Sequence, residues 1–462
     1  MNSGPFRDRH VHLMGVGGAG VSALVPLLRT AGARVSGCDL AHGGTVRRLG
    51  EEGVAVALGH DPEHIDSGNV DLLVHSSAVP GDHAELRAAR RRGVKILSRP
   101  ACLAELMRGS RTVSVAGSHG KTTTAWMIGH LLIGCGADPV VMVGGSVPEL
   151  GMSGARVGGS SLFVAEVDES DGGFAHVEPD VAVVTNLESE HLRHYGSFAA
   201  LCETFRTWLD GIGPSGVLVE PASGLDVRVT EGLTCARISC GIEQGMIHAF
   251  DCAYGAEGTR CRISEHGADL GEVLVPLPGR HMVENAVMAI AAARHVDERV
   301  TPSGLSNCSR VRRRFTVHGE QRGVRVVEDY AHHPTELRAT IAAAALAGGA
   351  VHVLFQPHRY TRSADCFHDF VAACDQAASV AVLPVYAAGE EPIAGVGGRD
   401  LAEAIAGGRS DRSSAQYAPH PAEGIAFLAA RAHAGDTILV LGAGDVGTHS
   451  AEVLQALHEA EV

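Results

Sequence analysis

The 462-residue sequence lacks the features of several protein classes. No stretch approaches the ~18 uninterrupted apolar residues that a membrane-spanning helix requires. The first residues, MNSGPFRDRH, contain no apolar segment typical of a secretory signal. The 11 cysteines include no C-x-x-C pair, and their irregular spacing favours reduced thiols over a disulfide framework or a zinc site. We therefore expect a cytoplasmic protein that does not bind a membrane.

Basic charge is scarce, and lysine is nearly absent. The chain has 38 basic and 53 acidic residues, a net charge of −15, which argues against a general nucleic-acid binder. Only Lys95 and Lys121 are lysines. Lys121 lies in a glycine-containing loop, where a compact ammonium is not equivalent to the planar guanidinium of arginine. Its retention in a chain so rich in arginine indicates a function for this loop.

Apolar strands that alternate with helices run through most of the chain, a pattern typical of α/β domains with parallel, doubly wound sheets. A chain of this length indicates two to four domains. We predict a Rossmann-like domain over residues 1–108, a central P-loop ATPase domain over 109–311 and a second Rossmann-like domain over 312–462. Short alternating runs between residues 214 and 278 predict a small β section within the central domain.

The central loop has the composition of a phosphate-binding turn. It follows the strand VSVAG and opens a helix, and it consists of Gly117, Ser118, His119, Gly120, Lys121, Thr122 and Thr123. Backbone N–H groups at a helix N-terminus attract phosphate, Lys121 can reach the terminal phosphates, and Thr122 can ligate Mg²⁺. Val115 occupies the position of the first glycine of the longer Walker pattern. The context still favours nucleotide binding over an ordinary strand-helix turn.

Acidic side chains follow the next strand patterns. Glu166, Asp168, Glu169 and Asp171 end the strand SLFVAEV, and the segment TNLESEH, which closes with His191, ends another. A metal-binding acid in a P-loop domain belongs at the carboxyl end of a buried strand. We therefore predict a Mg²⁺ site there, although a solvated acidic loop is the simpler alternative.

A glycine-rich turn near the N-terminus admits two interpretations. Gly15, Gly17, Gly18, Ala19 and Gly20 follow an apolar strand, and Asp39 ends the next strand some twenty residues later. This spacing is typical of dinucleotide-binding domains, which makes a nicotinamide-dependent dehydrogenase one alternative. A UDP group fits the same turn equally well.

Two polar loops in the last third predict a ligand crevice. Asp329, Tyr330 and His332 follow one strand pattern, and His358, Arg359 and Arg362 follow another. Polar loops at the carboxyl ends of parallel strands form a plausible crevice, and arginine binds a carboxylate in bidentate fashion. Incidental surface charge is the alternative.

Taken together, these motifs resemble the Mur ligases. The matching segments run in order along nearly the whole chain: HVHLMGVGGAG, VAGSHGKTTT, EVDESD, TNLESEH, PGRH with Asn285, RRRF, EDYAHHPTE, FQPHRYTR, VYAAGEEPI and GAGDVG. PHRYTR is the most discriminating, because siblings that add later residues carry other sequences there. The resemblance implies the branch that joins L-alanine to the lactyl carboxylate of UDP-N-acetylmuramate. It implies ATP and Mg²⁺, an acyl phosphate, and a place in peptidoglycan precursor synthesis.

The resemblance also assigns roles to residues. It implies catalytic roles for Lys121, Glu166 and His191, and a metal shell of Thr122, Glu166 and His191. ATP would contact the seven loop residues 117–123 and Asn285. The UDP-sugar site would be formed by residues of the first domain, namely Gly15, Gly17, Gly18, Ala19, Gly20, Asp39, Ser76 and Ser77. His358, Arg359 and Arg362 would bind the amino acid, beside the crevice residues Asp329, Tyr330 and His332.

Several positions depart from the family pattern, among them Val167, where alanine is usual. Met282 stands where asparagine is usual, Glu190 replaces an aspartate, and Arg193 replaces an acid. A divergent ligase acting on a related UDP-sugar, a muropeptide or a secondary metabolite is therefore the nearest alternative. A non-catalytic UDP-sugar-binding regulator is another, although Lys121 and His191 are both intact. A homodimer is also compatible with the sequence.

Overall fold

The computed structural model describes residues 4–151, 153–170 and 172–459. The chain divides into two compact units. The first comprises Met1–Phe250, Arg262–Val273 and Glu284–Val311, and the second comprises Asp251–Cys261, Leu274–Val283 and Arg312–Val462. Within the described residues, three sheets of five, ten and six strands form the framework.

Five parallel strands form the N-terminal sheet, in the order β3-β2-β1-β4-β5. These strands are β1 (His10–Met14), β2 (Arg34–Asp39), β3 (Ala55–Leu58), β4 (Leu72–His75) and β5 (Lys95–Ser98). The helices between and after them are α1 (Ala19–Ser22), α2 (Leu24–Thr30), α3 (Gly44–Glu51), α4 (Glu63–Asp66), α5 (Ala84–Arg92) and α6 (Arg99–Met107). Strand order reverses on either side of β1, so the glycine-rich turn after β1 lies at the switch point where such sheets bind ligands.

The central sheet has the strand order β15-β14-β13-β12-β11-β10-β6-β9-β7-β8. Its strands are β6 (Arg111–Ala116), β7 (Val140–Met142), β8 (Ala155–Arg156), β9 (Leu162–Glu166), β10 (Val181–Val184), β11 (Val217–Pro221), β12 (Ala236–Ile242), β13 (Ile247–Gly255), β14 (Gly258–Glu265) and β15 (Ala268–Val275). Its helices are α7 (Lys121–Gly134), α8 (Leu192–Tyr195), α9 (Phe198–Asp210), α10 (Val227–Thr230) and α11 (Arg280–Val296). The predicted small β section is confirmed, as the strands from β11 to β15 extend this sheet.

The C-terminal sheet has the order β16-β17-β21-β18-β19-β20, in which β16 alone runs antiparallel to its neighbour. Its strands are β16 (Thr316–Gln321), β17 (Val324–Asp329), β18 (Val351–Phe355), β19 (Ser379–Val382), β20 (Ala415–Tyr417) and β21 (Thr437–Leu441). Its helices are α12 (Pro334–Ala345), α13 (Tyr360–Asp365), α14 (Phe367–Ala373), α15 (Gly398–Gly408), α16 (Pro421–Ala429) and α17 (Ser450–Glu459). The predicted three-domain α/β architecture is confirmed.

The buried strands explain why these sheets form. β6, β9, β10 and β21 are almost entirely buried runs rich in valine and leucine, as expected of parallel strands covered on both faces. Because such strands are apolar along their length, polar side chains gather at their carboxyl ends. The candidate sites all lie at these ends.

Candidate active site

The phosphate loop joins β6 to α7 through two glycines with positive φ. Gly117 has φ +128° and Gly120 has φ +82°, a region that other residues seldom adopt. A Cβ on Gly117 would lie 2.7 Å from the Asn186 carbonyl oxygen, and one on Gly120 would lie 2.5 Å from Asn285 Oδ1. The loop therefore needs glycine at both positions, and the predicted ATP residue Asn285 lies directly against it.

The segment after β10 holds the phosphate loop in place. The His119 amide donates to Asn186 Oδ1 at 2.9 Å, and the Thr185 hydroxyl donates to the His119 carbonyl at 2.6 Å. The Glu188 amide donates to the Ser118 hydroxyl at 2.9 Å. From the sequence this segment was predicted only to bind metal. Its support of the loop depends on the pairing of β10 with β6, for which the sequence holds no local signal.

Lys121 is held beneath the loop by oxygens on several sides. Its ammonium donates to the Gly117 carbonyl at 2.6 Å and to Glu169 Oε1 at 2.9 Å. Burial by itself would lower the pKa of Lys121, but the carboxylates of Glu169, Asp168 and Glu166 more than offset it and raise that pKa. The side chain therefore carries a fixed positive charge at the start of α7.

Two of the predicted metal ligands are in direct contact. The Thr122 hydroxyl donates to Glu166 Oε2 at 2.7 Å, and the Gly144 amide donates to the same oxygen at 2.6 Å. His191 Nε2 lies 3.8 Å from Glu169 Oε1 and 3.9 Å from Glu190 Oε2. Ligand atoms of Glu169, Glu190 and His191 all lie within 4.8 Å of one another.

Glu169 and Glu190, which belong to the two acidic segments of the Mg²⁺ site predicted from the sequence, thus join the ligand set that the resemblance implied. Asp171, the last acid of the predicted cluster, lies outside the described residues. Glu169 is 1% exposed, and its Oε2 atom has no hydrogen-bond partner within the described ranges. Burial raises the pKa of this carboxyl to about 7, while Lys121 acts in the opposite direction. Mg²⁺ prefers oxygen ligands, so a buried carboxylate oxygen without a partner fits this ion.

The glycine-rich turn after β1 is fixed by Asp39. Asp39 Oδ2 accepts a hydrogen bond from the Gly17 amide at 2.8 Å, and a Cβ on Gly17 would meet the same oxygen at 2.8 Å. Gly15 has φ +76° and packs against Ser76. A Cβ added to Gly15 would lie 3.3 Å from the Ser76 Cβ. The structure thus brings together the predicted residues of β1, β2 and β4 in this turn. Gly18 is the N-cap of α1, which begins at Ala19, and Ser77 is exposed beside Ser76.

Arg99 is a residue of this region that the sequence analysis did not identify. It is the first residue of α6, and a Cβ added to Gly20 would lie 3.0 Å from its Cδ atom. Its guanidinium lies 3.4 Å from Asp168 Oδ2. Arg99 therefore connects the glycine-rich turn to the acidic segment after β9. A lone arginine at a helix start gives no sequence signal of this kind.

The first predicted crevice loop follows β17. Asp329 is 5% exposed and accepts hydrogen bonds from the amides of Phe315 and Ala331 at 2.7 and 2.8 Å. Burial raises the pKa of Asp329 to about 6, against the opposite effect of Arg314. The Tyr330 ring lies 4.8 Å from the Arg313 guanidinium carbon and 5.2 Å from that of Arg314.

The second predicted loop, after β18, meets the first one. The rings of His332 and His358 are 5.9 Å apart, and the His358 ring stacks on Tyr386 at 5.5 Å. Arg362 Nη1 lies 3.4 Å from His358 Nδ1. The structure therefore brings together the predicted residues of both loops and adds Tyr386.

Arg359 and Glu390 shape the second loop. Arg359 precedes α13 with a φ of +69°, and its amide donates to the Tyr386 carbonyl at 2.8 Å. Glu390 accepts from the Thr361 amide at 2.9 Å and from its hydroxyl at 2.7 Å. Glu390 belongs to the segment VYAAGEEPI, and no local sequence pattern indicated that this segment contacts the loop after β18.

Both histidines of the crevice are neutral at physiological pH. Burial lowers the pKa of His332 to about 3, although Glu336 acts in the opposite direction. Burial, with Arg362 and Arg359, lowers the pKa of His358 to about 4. Positive charge in this crevice therefore comes from arginine, which suits the binding of a carboxylate.

Family models match three consecutive parts of the chain. The description "Mur ligase family, catalytic domain" matches residues 10–111, "Mur ligase middle domain" matches 115–293, and "Mur ligase, glutamate ligase domain" matches 313–444. The chain belongs to the Mur ligase family.

Curated relatives within the family match almost end to end. A UDP-N-acetylmuramate–L-alanine ligase of Kineococcus radiotolerans is 42% identical over 474 residues, covering 99% of this chain and 98% of the relative. The enzyme of the same name from Gloeobacter violaceus is 41% identical, covering 96% of this chain and 95% of the relative. A crystal structure of UDP-N-acetylmuramate–alanine ligase from Thermotoga maritima has the same fold. Its TM-score is 0.80 at 23% identity, covering 98% of this chain and 99% of that one.

Within the described residues, no helix is both long and apolar enough to cross a membrane.

Proposed function

We propose that this Mur ligase joins L-alanine to the lactyl carboxylate of UDP-N-acetylmuramate at the expense of ATP, in peptidoglycan precursor synthesis. One observation carries the proposal. The chain is 42% identical to an L-alanine ligase over 99% of its length, and in its structure Lys121 contacts Glu169 and Thr122 contacts Glu166. A binding protein without catalytic function would have no need of this charged arrangement.

ATP binds at the phosphate loop with Mg²⁺. The amides before α7 and the helix dipole favour the phosphates, and the Lys121 ammonium neutralises charge that develops on the transferred group. Thr122, Glu166 and His191, with Glu169 and Glu190, are the residues that would hold the ion. The metal supplies further charge neutralisation when it is bound.

The two substrates react in sequence. The lactyl carboxylate attacks the γ-phosphorus of ATP to give an acyl phosphate and ADP. The amine of L-alanine then displaces phosphate through a tetrahedral intermediate and leaves an amide. The glycine-rich turn with Asp39, Ser76 and Ser77 binds the UDP-sugar. His358, Arg359 and Arg362 bind the carboxylate of the amino acid beside Asp329, Tyr330 and His332.

Phosphate release from purified protein tests this proposal. With ATP and Mg²⁺, we expect phosphate only when UDP-N-acetylmuramate and an amino acid are both present, and the highest kcat/KM for L-alanine over glycine and L-serine. The mass of the UDP-sugar product should exceed that of UDP-N-acetylmuramate by one alanyl residue. Turnover of a muropeptide or another acid in place of UDP-N-acetylmuramate would instead support the divergent ligase. Absence of turnover with every pair would refute a ligase of either kind.

We also propose that the protein is located in the cytoplasm and forms a homodimer. Light scattering of purified protein measures its mass, and a value of about one chain (48.0 kDa) would reject the dimer.

A further inference from the structure

One face of the N-terminal sheet carries a buried group of potential metal ligands. They are His12 on β1, Cys38 on β2, His64 on α4 and Glu85 on α5, called here the His-Cys-Glu cluster. One ligand atom from each lies within 4.8 Å of all the others. His12 is 4% exposed, and Cys38 and Glu85 are fully buried. None of the four belongs to the residues assigned to ATP, UDP-sugar or amino acid.

The fold brings the four residues together from distant parts of the chain. His12 pairs with Ser36 and Met14 pairs with Cys38 in the parallel register of β1 and β2, so His12 and Cys38 lie on the same face. Cys38 Sγ is 3.6 Å from both carboxylate oxygens of Glu85, and His64 Nδ1 is 2.5 Å from Glu85 Oε1.

His12 leaves one ring nitrogen for a further partner. Its Nδ1 atom is 2.8 Å from the Ser36 hydroxyl, which fixes the ring. Its Nε2 atom is buried and has no hydrogen-bond partner in the part of the chain that the structure describes. An unpaired buried polar atom costs free energy, so its presence beside three other ligands needs an explanation.

The donor atoms match the preferences of zinc. Thiolate, imidazole and carboxylate ligands bind Zn²⁺ tetrahedrally, with bonds of about 2.0 to 2.3 Å. Such bonds place neighbouring ligand atoms roughly 3.3 to 3.8 Å apart. The Cys38–Glu85 separation of 3.6 Å meets this requirement, whereas the 2.5 Å hydrogen bond between His64 Nδ1 and Glu85 Oε1 must lengthen when the ion binds. The surrounding side chains of Met14, Ile65 and Leu86 are apolar and exclude water.

We propose that His12, Cys38, His64 and Glu85 bind one Zn²⁺ ion in the N-terminal domain of this protein. The ion cross-links two strands to two helices, and it serves structure rather than phosphoryl transfer. Binding breaks the Cys38 S–H bond, forms a bond between sulfur and zinc, and releases the proton to solvent. This inference stands independently of the ligase activity.

A contact outside the cluster supports the site. His60 Nδ1 lies 3.0 Å from Cys38 Sγ, a position from which it can stabilise the thiolate.

The cluster adjoins the glycine-rich turn. The Cys38 carbonyl accepts hydrogen bonds from the amides of Gly15 and Val16 at 2.9 and 3.2 Å. An ion on the Cys38 side chain therefore anchors the same residue whose backbone holds this turn.

The absorption spectrum of the protein loaded with Co²⁺ tests the site. A thiolate bound to Co²⁺ gives a charge-transfer band, which a Mg²⁺ site without cysteine does not give. The full chain is stripped with a chelator, dialysed, and titrated with Co²⁺ in excess Mg²⁺. We expect one equivalent to bind with a thiolate band and the visible bands of tetrahedral cobalt, and Zn²⁺ to remove both. Absence of the thiolate band in the unmodified protein would overturn the proposal.

Matched variants identify the ligands. Cys38→Ser should lose the thiolate band, whereas Cys102→Ser, which alters another fully buried cysteine of the same domain, should keep it. The reverse result would overturn the proposal. His64→Gln keeps the test decisive if Cys38→Ser fails to fold, since His64 is only partly buried. The Kd of the His64→Gln variant for Zn²⁺, measured by chelator competition, should rise at least about tenfold. An unchanged Kd would contradict its role as a ligand.

Discussion

At the scale of single residues, the environment of Lys121 determines how its substitution should affect kcat. The ammonium lies between a loop carbonyl and a buried carboxylate, so its charge and position are both fixed. We predict that Lys121→Ala lowers kcat by about 10²- to 10³-fold, because one charge-stabilising donor is lost. Lys121→Arg should be similarly impaired, since a planar guanidinium does not fit the same oxygens. The measurement is phosphate release.

The only other lysine provides the control for this prediction. Lys95 is exposed on β5, and Lys95→Ala should leave kcat unchanged. UDP-sugar binding, measured by calorimetry, should survive in Lys121→Ala. Loss of UDP-sugar binding in that variant would show that the roles assigned to the first and central domains are wrongly divided.

Arg362 should determine affinity for the amino acid. A hydrogen bond to a charged group contributes about 1.5 to 3 kcal/mol, so Arg362→Ala should raise KM for L-alanine by roughly 10- to 100-fold. KM for ATP should change little. Arg338→Ala, which removes an exposed arginine of α12, is the matched control. Equal effects of the two variants on KM for L-alanine would refute the assignment of Arg362.

At the scale of elements, the turn into α7 depends on glycine. Gly117 has φ +128°, and a Cβ there would press on Thr185 and Asn186. We predict that Gly117→Ala lowers the melting temperature and weakens ATP binding. Gly134→Ala, at the end of the same helix, adds a methyl group that meets nothing within 4 Å. That change should be neutral or stabilising by up to about 1 kcal/mol. Thermal unfolding and nucleotide titration of both variants measure these effects.

The elements themselves were largely predictable, because their patterns are local. The apolar run ending at Glu166 predicts β9, and the sequence GRHMVENAVMAIAAARHV, from Gly279 to Val296, predicts a helix that the structure shows as α11. The sequence VSALVPLLRTAG, from Val21 to Gly32, predicts one helix, whereas the structure has α1 and α2, which are separated at Ala23. The sequence predicted a Mg²⁺ site from these two acidic segments, but not that Glu169, Glu190 and His191 are the residues that meet, because their approach depends on which strands are neighbours in the sheet.

At the scale of the whole molecule, buried neutral histidines predict sensitivity to acid. The pKa is lowered from 6.5 to about 3 for His332 and to about 4 for His281, mainly by burial. Between pH 4 and 6.5 the unfolded chain therefore binds more protons than the native one. The free energy of unfolding should fall as pH decreases through this window, by about 1.4 kcal/mol per pH unit for each such histidine. These histidines accordingly lower the melting temperature between pH 7 and pH 5, while the raised pKa values of the Glu169 and Asp329 carboxyls act in the opposite direction.

A pair of variants isolates one contribution to this acid sensitivity. His281→Gln should reduce the dependence of melting temperature on pH, because it removes one group that the unfolded chain protonates. His42→Gln, at an exposed histidine, should leave that dependence as it is. Identical pH profiles for His281→Gln and the unmodified protein would contradict the assigned origin of the effect.

The boundaries at residues 108/109 and 311/312 stay predictions at this scale, as do the roles of the individual site residues. What the sequence determined alone was local chemistry: a glycine turn before Lys121, acids after β9, and arginines and histidines after β18. These follow from short-range sterics and hydropathy, which nearby residues decide. Only the tertiary structure decided which distant side chains meet. Thr185 and Asn186 clamp the phosphate loop, Arg99 reaches Asp168, and Cys38 joins His12, His64 and Glu85. Such meetings depend on strand order and register, which no single segment of sequence specifies.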